Sequence, residues 1–157
     1  MKHHIMNNAA TIEKFYSSFN AHDAESMGAC YDDNITFQDP AFGILHGDEA
    51  KSMWCMLMKG TDVQVTYSNV VANDHKGSAD WVATYTFSKT GRKVVNRVHA
   101  EFEFNDGKII KHTDTFNFWV WSRQALGISG LLLGWTGFLK QKVTEQATGR
   151  LKQFMGK

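Results

Sequence analysis

The chain has 157 residues, 43% hydrophobic and 13% aromatic, enough to bury one core and too few for two comfortable domains. Its formal net charge is +1, with 17 Lys and Arg against 16 Asp and Glu and no long run of either sign. That balance argues against a nucleic-acid footprint and points to a small molecule or a protein partner. Cys30 and Cys55, the only cysteines, have neither metal-finger spacing nor a disulfide framework. They read as reduced packing residues of a cytoplasmic protein, and no metal or cofactor motif is found.

Met1, Lys2, His3 and His4 lead into a polar stretch without the apolar core of a signal peptide, and so short a His pair is not assignable as native or tag. Ile12, Phe15, Tyr16 and Phe19 then follow helical spacing, with Asn7 and Asn8 placed to cap. Asp23 is a suitable N-cap for a second, shorter helix carrying Ala24, Met27 and Cys30 on one face. Ile35 to Asp39 reads as a short strand ended by Pro40, which holds the preceding residue extended. After the turn Pro40-Ala41-Phe42-Gly43, a third helix carries Ala50, Met53, Trp54, Leu57 and Met58.

From Asp62 the pattern changes to four β-rich runs, 62–73, 78–89, 94–105 and 108–121. Short glycine-bearing links join them, which predicts an antiparallel meander. Strands this long twist, so helices packed on one side would enclose a concave trough. The stretch 125–139 is the most apolar, yet four glycines break it and it is too short to span a bilayer. It reads as a pocket lid or an interface, with no stable membrane insertion. A closing helix carries Leu139, Val143, Ala147, Leu151, Phe154 and Met155, interrupted by Gly149.

Alternation along the last strand puts His112 and Asp114 on the side of Ile110, Phe116 and Phe118. Two ionisable groups on an aromatic face must bond each other, water or a ligand, because desolvation would otherwise be costly. The same parity argument turns Trp81, Tyr85 and Asn96 to the trough. Tyr16 and Trp54, on the covering helices, complete the expected ligand contacts with Trp81, Tyr85, Asn96 and Phe116. Asp39, at a strand end, is a candidate general base, with an Asx-turn as the structural alternative. Arg97, Glu101 and Glu103 face outward beside Thr113, Thr115 and Trp119, a mixed surface suited to a two-fold homodimer.

The string Phe15-Tyr16-Ser17-Ser18-Phe19-Asn20-Ala21-His22-Asp23, then Tyr31 and Phe37-Gln38-Asp39-Pro40, resembles the opening of NTF2-like, SnoaL-like and ketosteroid-isomerase-like proteins. Gly47, Thr90-Gly91-Arg92-Lys93 and Phe102-Glu103-Phe104-Asn105-Asp106-Gly107-Lys108 extend the likeness along the chain. The resemblance implies an α+β fold, the NTF2-like (cystatin-like) cone, in which N-terminal helices pack on a curved antiparallel or mixed sheet around a pocket. It implies one domain over 1–157, with 122–157 as a C-terminal helical extension of it. It also implies a small apolar, carbonyl-bearing ligand and acid-base catalysis by Asp39, His112 and Asp114, or else a non-catalytic binding or dimerising scaffold. In the steroid isomerases the oxyanion hole is a Tyr and a protonated Asp. Phe15 and Ala100 occupy those places here, so both donors are missing.

Overall fold

The computed structural model describes residues 7–156, so the His3-His4 pair lies outside them. Helix α1 (Asn8–Asn20) starts where Asn7 accepts from the amide of Ala10, and α2 (Ala24–Ala29) where Asp23 accepts from that of Ser26. Strand β1 (Tyr31–Asp39) turns back through β2 (Gly43–His46) into α3 (Asp48–Met58). The β1–β2 hairpin is a correction to the sequence reading, which ran from the Pro40–Gly43 turn directly to the helix.

The meander predicted from Asp62 onward is present as β3 (Gln64–Ala72), β4 (Lys76–Phe87), β5 (Arg92–Asn105) and β6 (Lys108–Thr115). Together the six strands form one sheet in the order β2-β1-β6-β5-β4-β3. All neighbours are antiparallel except β1 and β6, which run parallel. Burial alternates along β5, with Val98, Ala100, Phe102 and Phe104 inside and Arg97, His99, Glu101 and Glu103 exposed, as period-two geometry requires. Against the inner face pack Ile12, Phe15, Tyr16 and Phe19 of α1 and Ala50, Met53 and Trp54 of α3.

The last strand is shorter than predicted. It ends at Thr115, and Asn117 caps a helix, its side chain accepting from the amide of Val120. Trp119 and Trp121 therefore belong to α4 (Phe118–Leu126), and Trp119 does not extend the outer sheet face. Alternation misled here because aromatic residues serve strands and helix faces equally, and only the Asn cap marks the change.

Two more helices close the chain, α5 (Ile128–Leu133) and α6 (Gly137–Phe154), the latter continuous through Gly149. Glycine lets α5 approach α4 at backbone distance. A Cβ on Gly130 would lie 1.9 Å from the Ser122 carbonyl oxygen, and one on Gly134 2.0 Å from Ser122 Oγ. Backbone cannot yield as a flexible side chain can. Gly130→Ala is therefore expected to destabilise the fold by about 1–3 kcal/mol. Gly149→Ala, with nothing within 4 Å of the added Cβ, should stabilise it by up to about 1 kcal/mol. Denaturant unfolding of the two variants checks the pair, and equal effects would contradict the close contact.

Candidate active site

Helices and sheet enclose a cavity of about 960 Å³, within the range of small-molecule sites. Phe19, Met53 and Trp54 wall it from the helices, and Trp81, Tyr85, Asn96 and Asp114 from the sheet. Trp121 of α4 and Leu139 and Val143 of α6 close another side. The lining surface is mostly apolar, and the polar groups set into it decide what chemistry it can hold.

Asp114 is reached by a buried chain of hydrogen bonds. Trp54 Nε1–H donates to the Tyr31 hydroxyl oxygen at 3.0 Å, and that hydroxyl lies 2.7 Å from His112 Nδ1. His112 Nε2 lies 2.8 Å from Asp114 Oδ1, which also accepts from Trp81 Nε1–H at 3.3 Å. An indole nitrogen only donates, so the Tyr31 oxygen accepts from Trp54 and its own proton is left for His112 Nδ1. The imidazole then carries its proton on Nε2 and donates it to Asp114. One proton arrangement satisfies every member of the chain.

Asp39 stands at the end of the neighbouring strand. Phe37 pairs with His112 and Gln38 with Thr113 along the parallel β1–β6 ladder. One further step brings Asp39 beside Asp114, on the face that the Phe37 and His112 rings share at 5.1 Å. Asp39 Oδ1 accepts from the amides of Ala41 at 2.9 Å and Phe42 at 2.6 Å, so the predicted Asx-turn exists. Burial nevertheless pushes its carboxyl up to about 7, and the negative charge of Asp114 adds to the rise while those two amides oppose it. For both carboxylates, no protein donor among the described residues reaches Oδ2. Each is fixed through one oxygen and presents the other.

Tyr85 and Asn96 add neutral groups to the cavity wall. Trp121 Nε1–H donates to the Tyr85 hydroxyl oxygen at 2.8 Å, leaving the phenol proton without a protein acceptor among the described residues. Burial keeps that phenol protonated by raising its pKa. Asn96 also lines the cavity, and its side-chain amide makes no hydrogen bond to the described residues.

Of the predicted site residues, Asp39, Trp54, Trp81, Tyr85, Asn96, Asp114 and Phe116 share the cavity wall. His112 does not. It is fully buried behind Asp114 among Phe15, Phe37 and Phe102, so the expectation that it opens on the cavity is corrected. Parity gives a side of the sheet and not a depth within the core. Tyr16 is displaced in the same way. It packs against Tyr67 and Trp81, with its hydroxyl buried and unpartnered among the described residues.

The sequence reading missed Tyr31 and Trp121. The predicted strand begins at Ile35 whereas β1 begins at Tyr31, and the predicted last strand runs on to Trp121 whereas β6 ends at Thr115. Phe15 and Ala100, which the resemblance sets at the oxyanion-donor places of steroid isomerases, respectively stack on Tyr31 and pair with Asp114 across the β5–β6 ladder. Neither side chain can donate.

The raised Asp39 carboxyl has a consequence for stability. Between the unfolded value of 3.8 and the folded value of about 7, the folded state holds a proton that the unfolded state has released. Stability contributed by this group is therefore complete below about 4 and falls as pH rises through 7. Asp39→Asn keeps the oxygen that accepts from Ala41 and Phe42 and removes the titration. The variant is expected to gain on the parent by a few kcal/mol as pH rises from 4 to 8, read from urea unfolding across that range. A constant difference would contradict the raised carboxyl.

Residues 12–112, well over half of the chain, match the family model of the SnoaL-like domain. No curated protein matches the sequence. Among solved structures, a candidate polyketide cyclase from Silicibacter sp. TM1040 is similar, with 20% identity, TM-score 0.67 and coverage of 78% of this chain and 98% of that one. An LEH-like epoxide hydrolase of M. tuberculosis aligns at 17% identity and TM-score 0.66, over 82% of this chain and 97% of the other. An NTF2-like protein of unknown function from Burkholderia pseudomallei aligns at 15% identity and TM-score 0.67, over 76% and 98%. At these identities the structures speak for the fold, which is NTF2-like, and the match over 12–112 carries the assignment that this chain belongs to the SnoaL-like domain family.

Proposed function

We propose that the protein is an acid-base enzyme acting on a small apolar, carbonyl-bearing molecule held in the cavity. The observation that carries this reading is the carboxylate pair: Asp39, raised to about 7, next in register to Asp114. A group titrating near the working pH exchanges protons with carbon acids most effectively. Asp39 Oδ2 takes the proton from the carbon beside the carbonyl and returns it at another position or to a closing ring. The enolate oxygen that forms accepts from the Tyr85 hydroxyl and the Asn96 amide, which replace the missing oxyanion donors. Asp114, held by His112 and Trp81, keeps Asp39 basic through its charge.

Proton transfer of this kind agrees with the likeness to a candidate polyketide cyclase. The likeness to an epoxide hydrolase favours a second use of the same pair, in which the carboxylates activate water against a strained ether. Two copies would associate through the outer sheet face that carries Arg97, Glu101 and Glu103, leaving the cavity open in each.

Hydrogen–deuterium exchange at the α-carbon tests the proposal. A panel of apolar cyclic ketones in heavy water, followed by mass spectrometry, is expected to show catalysed exchange whose rate rises with pH through about 7. Asp39→Asn should lower that rate by about 10²-fold or more. Tyr85→Phe should lower it by a smaller factor, on the order of tenfold. Retention of a ketone without exchange at any pH would instead mark the cavity as a binding site alone.

A further inference from the structure

Helix α5 is turned inside out relative to an ordinary surface helix. Its small residues, Gly130 and the following Gly134, meet α4 at backbone distance, while its large apolar side chains face away from the protein. Ile128 is 75% exposed, Leu132 61%, and beyond them Trp135 is 75% and Phe138 66% exposed. No helix among the described residues is long and apolar enough to cross a membrane, so this patch does not belong to a span. An exposed apolar set of this density, held rigid by a glycine contact, marks a surface made to be covered.

Charge indicates by what. From Thr115 to Thr144 the sequence contains no Asp or Glu, and its only charged residues are Arg123, Lys140 and Lys142. None of the three makes a salt bridge among the described residues, although Lys140 is near enough to Asp39 to lower its carboxyl pKa slightly. Arg123 lies over the Trp119 ring at 4.4 Å and Lys142 over the Phe138 ring at 5.8 Å, so cations and aromatic rings occupy the same surface. The indole N–H of Trp135 already donates to the Leu132 carbonyl at 3.0 Å, so burying the ring in an apolar layer strands no donor. Aliphatic and aromatic side chains bordered by unpaired cations are the arrangement that lies in an anionic lipid interface. The same segment reaches the cavity, whose lining includes Leu126, Ser129, Leu139 and Lys142.

We propose that α5 and the first turns of α6 form a peripheral docking surface for anionic lipid membranes, placing the cavity beside the apolar layer from which a poorly soluble ligand would enter. The apolar side chains enter the acyl boundary, and Arg123, Lys140 and Lys142 meet the headgroup phosphates.

Co-sedimentation of the full chain with sucrose-loaded vesicles tests this, using phosphatidylcholine alone and phosphatidylcholine mixed with phosphatidylglycerol. Binding to the mixed vesicles is expected to be at least about tenfold stronger than to phosphatidylcholine and to weaken with added salt. Leu132→Ser combined with Trp135→Ser should lower partitioning about tenfold or more while the unfolding midpoint stays at the parent value, because both side chains are exposed. Lys140→Glu with Lys142→Glu should remove the preference for phosphatidylglycerol. Absence of sedimentation with both vesicle types would overturn the proposal, as would unchanged binding by the Leu132→Ser/Trp135→Ser variant. A dimer that this variant dissolves, in a protein that ignores vesicles, would assign the patch to a second copy and overturn it equally.

Discussion

The architecture depends on how an imidazole and a carboxylate are kept inside an aromatic core. His112 and Asp114 are both buried, and each unsatisfied polar atom there would cost on the order of 1–3 kcal/mol. The chain from Trp54 through Tyr31 and His112 to Asp114, with Trp81 joining at the end, leaves no bond of the imidazole unmade. Its members come from α3, β1, β6 and β4, so the same bonds that satisfy the polar groups also fix the covering helix over the sheet. Phe15, Phe37 and Phe102 around His112 exclude the water that would otherwise compete.

That satisfied chain is what gives the cavity its polarity of roles. Asp114 has one oxygen committed to His112 and Trp81, whereas Asp39 is tied only to two backbone amides and feels both burial and its neighbour's charge. Two carboxyl groups in adjacent register are thereby held differently, Asp114 by side chains and Asp39 by backbone amides, and Asp39 changes protonation near neutrality. A difference of this kind is how a pair of like residues comes to hold distinct acid-base tasks. Tyr85, pinned by Trp121 with its proton unspent, adds a neutral donor to the same enclosure.

Much of this was legible in the sequence, and the failures have physical causes. Period-two alternation sorted β4 and β5 correctly, because long central strands with one buried face are held in register. In β6 it holds from His112 to Asp114, but the register shift opposite Glu103 and Phe104 puts Ile109 in the core where Ile110 is expected. Alternation brought Asp114, Trp81, Tyr85 and Asn96 to one side. Neither that alternation nor the helical spacing of α1 gives depth, so His112 and Tyr16 are expected at the cavity and lie behind its wall. Nor did alternation reach the start of β1: the strand is predicted only from Ile35, which leaves out the Tyr31 hydroxyl that bonds His112. The end of β6 was missed because Phe116, Phe118 and Trp121 suit either structure, with Asn117 as the sole signal of a helix start. The α5 segment was readable as exceptional, through its glycines and leucines, but which side faced the protein depended on the Gly130 contact with Ser122.

The central claim is that burial and the neighbouring charge of Asp114 lift Asp39 into the neutral range. Carboxyl carbon chemical shifts of isotopically labelled aspartate, followed across pH in the parent and in Asp114→Asn, measure it directly. The account predicts that Asp39 titrates near 7 in the parent and at a lower pH in Asp114→Asn, still above the ordinary carboxyl value of 3.8 because desolvation persists. An Asp39 that titrates near 3.8 in the parent, or one whose titration ignores the loss of Asp114, would contradict it.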